Sequence, residues 1–258
     1  VVTVRCWTDD GAPADATTFG VLFNNSKVLP STQYAAFWQG DGAFTGTAIP
    51  SATYVMNVAP RLTHPSRGHY LVEYLGAANN PFPLVTAWGT TPRVCNIVDW
   101  YTARSTISPH HAGRFVDVAC FDFAGKPLDS GFSFLMSSLS PLGVDGPTGG
   151  RLYASGVSAS PVTPAADNVN NRSGSVQATN SYRTINATAE EISVPGYPGA
   201  FDLLDTVDTL EAVGDDGARC YAENPPTRLN GSARLLAECF SPSGQQLAHA
   251  VHGGIWDH

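Results

Sequence analysis

At 258 residues the chain is long enough for one large domain or two ordinary ones, and either could bury a core. Charged residues make up only 14%, against a typical figure of about 25%, and the net charge is −8 with no basic cluster. That balance argues against electrostatic binding of nucleic acid or an anionic membrane. No apolar run approaches the roughly 20 residues of a membrane-spanning helix, so a soluble chain is expected.

Val1 to Phe23 reads as two strands around the turn Asp9-Asp10-Gly11-Ala12-Pro13, where Gly and Pro supply the turn chemistry. The polar stretch Asn24 to Lys27 leads to a strand at Tyr34 to Gln39 and then a Gly-rich loop. Short β-branched or aromatic strands follow at Tyr54 to Val58, His69 to Leu75 and Leu84 to Trp88, then at Arg93 to Trp100, Arg114 to Phe121 and Gly131 to Met136. Ser137 to Ser175 is rich in Ser, Pro and Gly and reads as long surface loops around one strand, Arg151 to Ser155. Phe201 to Val213 is ambiguous. Its apolar period of three allows a short helix, but its place in the pattern favours a strand. Nothing else looks helical.

One phrase is written three times. Val116-Asp117-Val118-Ala119-Cys120 runs on through Gly125, Pro127 and Asp129 to Phe132; Thr3-Val4-Arg5-Cys6 runs through Gly11, Pro13 and Asp15 to Phe19. The third copy, Leu236-Ala237-Glu238-Cys239, keeps Gly244 but has Gln246 and Ala248 in place of Pro and Asp. In each, a Cys closes an alternating strand and a Gly follows five residues later, which reads as a hairpin. The phrase divides the chain into a half-repeat at 1–27 and repeats at 28–138 and 139–258. Within a repeat, the alternation around Tyr70 resembles that around Phe115, 45 residues on. Units of about 40 to 50 residues with three or four strands are what a propeller blade looks like in sequence. The expected fold is therefore all-β: a single small β-propeller over 1–258, of about five blades (34–89, 93–138, 150–213, 218–251 and the hairpin 1–23). Gly253 to His258 would complete the first blade, closing the ring with N- and C-terminal strands. The alternative is two tandem β-sandwiches of roughly 115 residues, each with one disulfide.

Cys95 and Cys120 close two neighbouring strands, and Cys220 and Cys239 occupy the same places one repeat later. A recurring pair predicts disulfides and an oxidising, extracellular compartment, and no CxxC-type spacing supports zinc. Cys6 is left without its partner.

The three Cys-x4-Gly phrases, with Leu84-Val85-Thr86-Ala87-Trp88-Gly89 and Val94-Cys95-Asn96-Ile97-Val98-Asp99-Trp100 between them, resemble tandem β-repeat proteins secreted by actinobacteria and other soil bacteria. The resemblance is good over Leu84 to Met136, partial over Val1 to Phe23 and degraded over Asp202 to Val251. It implies export and a β fold more than an activity. The nearest functional analogue, though no motif residue carries the likeness, is a secreted propeller of the dispase autolysis-inducing type, which binds an extracellular metalloprotease.

No nucleophile motif is present: there is no Gly-x-Ser-x-Gly elbow, and Cys6 lies in an alternating strand. The adjacent pair His110-His111 lacks the spacing of metal ligands and reads as a solvated turn that could touch a partner. Asp9, Asp10 and Asp15, or Asp215 and Asp216, could supply oxygens to calcium, but neither set follows the twelve-residue calcium loop. Glu73, Asp99, Asp117, Glu223 and Glu238 lie on or near strands and could include a pair of carboxylates for glycoside hydrolysis. Trp38, Trp88 and Trp100 each close a strand where a ring could stack on a sugar or a peptide, or wedge between blades as packing. The reading that follows is a secreted, monomeric, non-enzymatic binding protein with no cofactor or metal. Its partner is another extracellular protein such as a metalloprotease, held through loops that include 108–114 and 137–175. A saccharide is the alternative ligand, bound by a lectin-like module or turned over by a glycoside hydrolase.

Overall fold

A computed structural model of the chain describes residues 3–8, 11–15, 34–40, 42–50, 52–55, 60–75, 82–137, 148–154, 169–170, 181–186, 189–195, 206–222, 227–229 and 232–257. Among these every regular element is a strand. The first strands are β1 (Cys6–Trp7), β2 (Pro13–Ala14), β3 (Tyr34–Gln39), β4 (Gly46–Ala48), β5 (Ala52–Val55), β6 (Arg61–Ser66) and β7 (His69–Leu75). Then come β8 (Phe82–Trp88), β9 (Arg93–Arg104), β10 (Ala112–Asp122), β11 (Gly131–Ser137), β12 (Thr148–Ala154), β13 (Val169–Asn170) and β14 (Ser181–Asn186). The last are β15 (Ala189–Pro195), β16 (Thr206–Ala212), β17 (Arg219–Ala222), β18 (Thr227–Leu229), β19 (Ser232–Phe240), β20 (Gln246–Leu247) and β21 (Val251–Asp257).

The chain divides into two compact units. One is Val1–Leu139 with the turns Gly214–Gly217 and Ser241–Gly244; the other is Ser140–Val213, Ala218–Phe240 and Gln245–His258. The first holds the hairpin β1-β2, a five-stranded sheet β4-β6-β7-β10-β9 and a four-stranded sheet β5-β3-β11-β8. The second has a four-stranded sheet β13-β12-β21-β16 and a larger one ordered β14-β15-β19-β17, with β18 and β20 also on β19. All pairings are antiparallel, and none of the sheets closes into a barrel.

Alternation along the strands explains where the cores lie. In the first unit Tyr70, Val72 and Tyr74 of β7 and Val116, Val118 and Cys120 of β10 turn one way and meet Phe132, Phe134 and Met136 of β11. One core is thus shared by both sheets. In the second unit Ile192 and Val194, with Ala233, Leu235, Ala237 and Cys239, meet Val251 of the opposite sheet. Each fully buried Val, Leu or Ile contributes on the order of 1.5–3 kcal/mol, so these faces hold each pair of sheets together.

Two expectations are corrected by the pairings. Consecutive strands do not make separate blades: β11, from the group 93–138, lies between β3 and β8, from the group 34–89. Nor does the C-terminal strand close onto the N-terminal hairpin. β21 pairs with β12 on one edge and β16 on the other, so both its edges are filled. The physical reason lies in the connections. The turn after Cys120 is not a two-residue hairpin leading straight back. The segment from Pro127 to Ser130 carries the chain to the opposite sheet, and strand spacing alone does not reveal that crossing. The ambiguous segment resolves as strand over Thr206–Ala212, where seven residues pair with β21; residues 201–205 lie outside those described.

Both disulfides form, Cys95–Cys120 between β9 and β10 and Cys220–Cys239 between β17 and β19, and Cys6 is free. The phrase that repeats in sequence is also one turn in space. Gly11, Gly125 and Gly244 have φ of 82°, 77° and 79°, left-handed values that any Cβ would strain.

Candidate functional site

The outward face of the five-stranded sheet in the first unit carries Glu73, Asp99 and Asp117, with His110 and His111 in the loop at its end. Glu73 on β7 lies opposite Arg61 on β6 and Phe115 on β10 and is only 3% exposed. A buried carboxylate must be satisfied or it destabilises the fold. Its Oε1 accepts Ser105 Oγ at 2.7 Å, Thr106 N–H at 2.6 Å and Ile107 N–H at 3.1 Å, and Oε2 accepts the Thr106 hydroxyl. Ser105 Oγ in turn accepts the N–H groups of Ile107 and Ser108, both at 3.0 Å. Burial pushes the Glu73 carboxyl up, but the donors from Thr106, Ser105 and Ile107 outweigh it and hold the group below its ordinary range. The loop 105–111 is thereby fastened from beneath.

The same loop is closed by its own backbone and by two arginines. Ser105 N–H donates to His111 O at 3.1 Å and His111 N–H to Ser108 O at 2.9 Å. Arg104 Nε donates to Pro109 O at 3.0 Å, and Arg61 Nη1 to Thr106 Oγ1 at 3.1 Å. His110 and His111 stand exposed on this rigid base.

Beside it, Asp99 on β9 and Asp117 on β10 are directly opposed, at a register irregularity that follows Asp117. Like charges in that position repel. Burial pushes the Asp117 carboxyl up and Asp99 pushes it further, while His69 works the other way. Two residues along, Tyr101 stacks on Phe115 with centroids 5.4 Å apart and planes at 10°. Phe115 is buried and Tyr101 is 42% exposed. Burial, then Asp117 and Asp99, raises the Tyr101 phenol above its ordinary range. An exposed ring beside two carboxylates can stack on a sugar and accept its hydroxyls, or take the donors of a peptide.

The predicted site residues do not converge on one place. His110 and His111 share the clamped loop. Trp88 ends β8 opposite Gly131, in the other sheet, and is 52% exposed. Trp100 is half-buried and packs against the core, so its ring stabilises the sheet pair. Trp38 lies on β3 between Ser133 and Ala52; its side chain is outside those described. Among the candidate carboxylates, Glu73 is committed to the loop, Glu238 accepts Gln246 Nε2 at 2.8 Å, and Glu223 lies outside the described residues. So do Asp9, Asp10 and most of the stretch 137–175. Among the described residues no three His, Cys, Asp or Glu side chains gather as a metal site would gather them. No described helix is long and apolar enough to cross a membrane. Sequence reasoning missed Tyr101, because nothing local says that it stacks on Phe115 across a strand pair.

No family model, curated protein or solved structure matches the chain.

Proposed function

We propose that the protein is a secreted, non-enzymatic binding protein built as two tandem β-sandwiches, and that its first unit holds another extracellular protein, of the protease class, through loop 105–111. One observation carries this reading: a nearly fully buried carboxylate, Glu73, is spent on fixing a surface loop whose tip is exposed. Ordering a loop before binding removes that entropy cost from the binding step. The two disulfides are compatible with an extracellular setting and support the export that the sequence resemblance implies. The proposal is tested by co-precipitation with secreted proteins. A single partner bound by wild type should be lost with His110→Ala/His111→Ala, and undiminished binding by that variant would refute the assignment.

A second reading is favoured by the Tyr101–Phe115 stack beside Asp99 and Asp117: that face binds a saccharide. Titration with soluble polysaccharides should then change the intrinsic fluorescence, and Tyr101→Ala should abolish the change.

A further inference from the structure

His64 on β6 turns inward, on the same side as the core residue Leu62, and its side chain is 11% exposed. Its Nδ1 lies 2.5 Å from Phe44 O and its Nε2 lies 3.0 Å from Asp129 Oδ1. Both oxygens are acceptors. A neutral imidazole has one N–H, so only the doubly protonated ring can make both bonds. The ring is stacked on Tyr70 at 5.0 Å and 16° and tilted against Phe44 at 5.4 Å, which fixes its plane between the two acceptors.

Three segments meet at this ring. Asp129 Oδ1 also accepts Gly68 N–H at 2.7 Å, fixing the turn between β6 and β7. Tyr70 Oη donates to Gly42 O at 2.8 Å and accepts Ser130 N–H at 2.9 Å. Gly42 is packed so closely that a Cβ there would fall 2.4 Å from the Ser130 backbone. Ser130 leads into Gly131, which pairs with the exposed Trp88. The charged and titratable groups around the ring are few. Asp129 faces it from the segment before β11, and Tyr70 presents a phenol from β7. Arg67 lies exposed in the turn, while His69 and Arg61 fall on the other face of their strands. Asp41 lies outside the described residues.

We propose that His64 is a protonation-dependent latch: as an imidazolium it ties residues 42–44, the turn at Gly68 and the Asp129–Ser130 segment together at the Trp88 end of the first unit. Loss of one ring proton breaks one of the two bonds and loosens that end. The sign follows from the acceptors. The stabilisation is present while the ring is doubly protonated and is lost once a rise in pH removes one ring proton. The second unit provides an internal control. By strand register, Thr184 stands where His64 does, and Ala248 stands where Asp129 does in the repeated phrase.

The test uses the intact, disulfide-bonded protein. Nitrogen-15 NMR of the His64 ring at pH 5.5 should show two N–H nitrogens. On raising the pH to 8, exchange at the Gly68 and Ser130 amides should increase by more than about tenfold beyond the intrinsic rise, while amides of β15 and β19 keep their protection. His64→Gln should remove that excess and lower the unfolding midpoint by about 2–4 °C at pH 5.5, with a smaller loss at pH 8. A ring that holds a single proton at pH 5.5, or Gly68 and Ser130 exchange that simply follows the intrinsic rate, would overturn the latch, and both readings come from wild type even if the variant fails to fold.

Discussion

The two units pair their strands in the same order around the same disulfide, yet spend their polar residues differently. Around Cys120 and Cys239 the registers coincide: Val116, Val118 and Cys120 face Val72, Tyr70 and Cys95 as Leu235, Ala237 and Cys239 face Ile192, Glu190 and Cys220. On the outward face the contents diverge. Leu71 and Phe115 in the first unit correspond to Glu191 and Arg234 in the second, which form a 2.9 Å ion pair. Glu73 corresponds to Ser193, and Asp117 to Leu236. The apolar inner face and the disulfide are what the architecture requires. Buried or opposed carboxylates weaken a sheet unless something answers them. The second unit answers its buried Glu191 with Arg234, whereas the first answers Glu73 with a loop and leaves Asp99 and Asp117 opposed.

The largest effect should be common to both units. Replacing Cys95 and Cys120, or Cys220 and Cys239, by Ser opens loops of 25 and 19 residues and should cost about 3 kcal/mol in either unit, read from chemical unfolding. Markedly unequal losses would show that the shared framework is not equally important to both.

The next effect should separate them. Glu73→Gln leaves buried donors of loop 105–111 poorly answered and should cost about 2–3 kcal/mol. Glu191→Gln in the second unit keeps an amide oxygen to accept from Arg234 in this part-buried pair and should cost less, about 1–2 kcal/mol. Because the Glu73 carboxyl is held below its ordinary range, its stabilisation is complete at neutral pH and is lost as pH falls through its lowered value. The protection of the Thr106 and Ile107 amides, relative to their intrinsic exchange rates, should therefore fall in acid in wild type and be low at every pH in the Gln variant.

The smallest effect has the opposite sign. Asp117→Asn removes a like-charge opposition and should stabilise the first unit by about 0.5 kcal/mol at pH 7. The Asp117 carboxyl is raised, so its penalty exists only where it is ionised and vanishes in acid. The gain should thus disappear in acid. A gain that persisted there would place the benefit in packing instead of charge.

Much of this was legible in the sequence, for identifiable reasons. A Cys at the end of an alternating strand, repeated with its partner, reports a cross-strand disulfide because both signals are local. The turn glycines were equally readable, since only glycine holds their φ without strain. Which strands become neighbours was not, because Phe132 to Met136 alternate identically whether they return beside β10 or cross to lie between β3 and β8. Asp129 shows the same limit. The phrase marks it as recurrent, but its partners, His64 and Gly68, lie more than 60 residues away. His64 itself looked like an ordinary residue beside a Pro-Ser-Arg-Gly turn. Glu73 was visible as a strand carboxylate, while its donors sit in a loop with no sequence signature.

The binding role of loop 105–111 is tested by co-precipitation with wild type and with His110→Ala/His111→Ala from concentrated culture supernatant of the source organism, quantified by mass spectrometry. Recovery of one secreted protein at a fixed ratio by wild type, and its loss with the double variant, is the predicted result. Equal recovery by both, or no recovered protein with wild type, would contradict a binding role for the clamped loop.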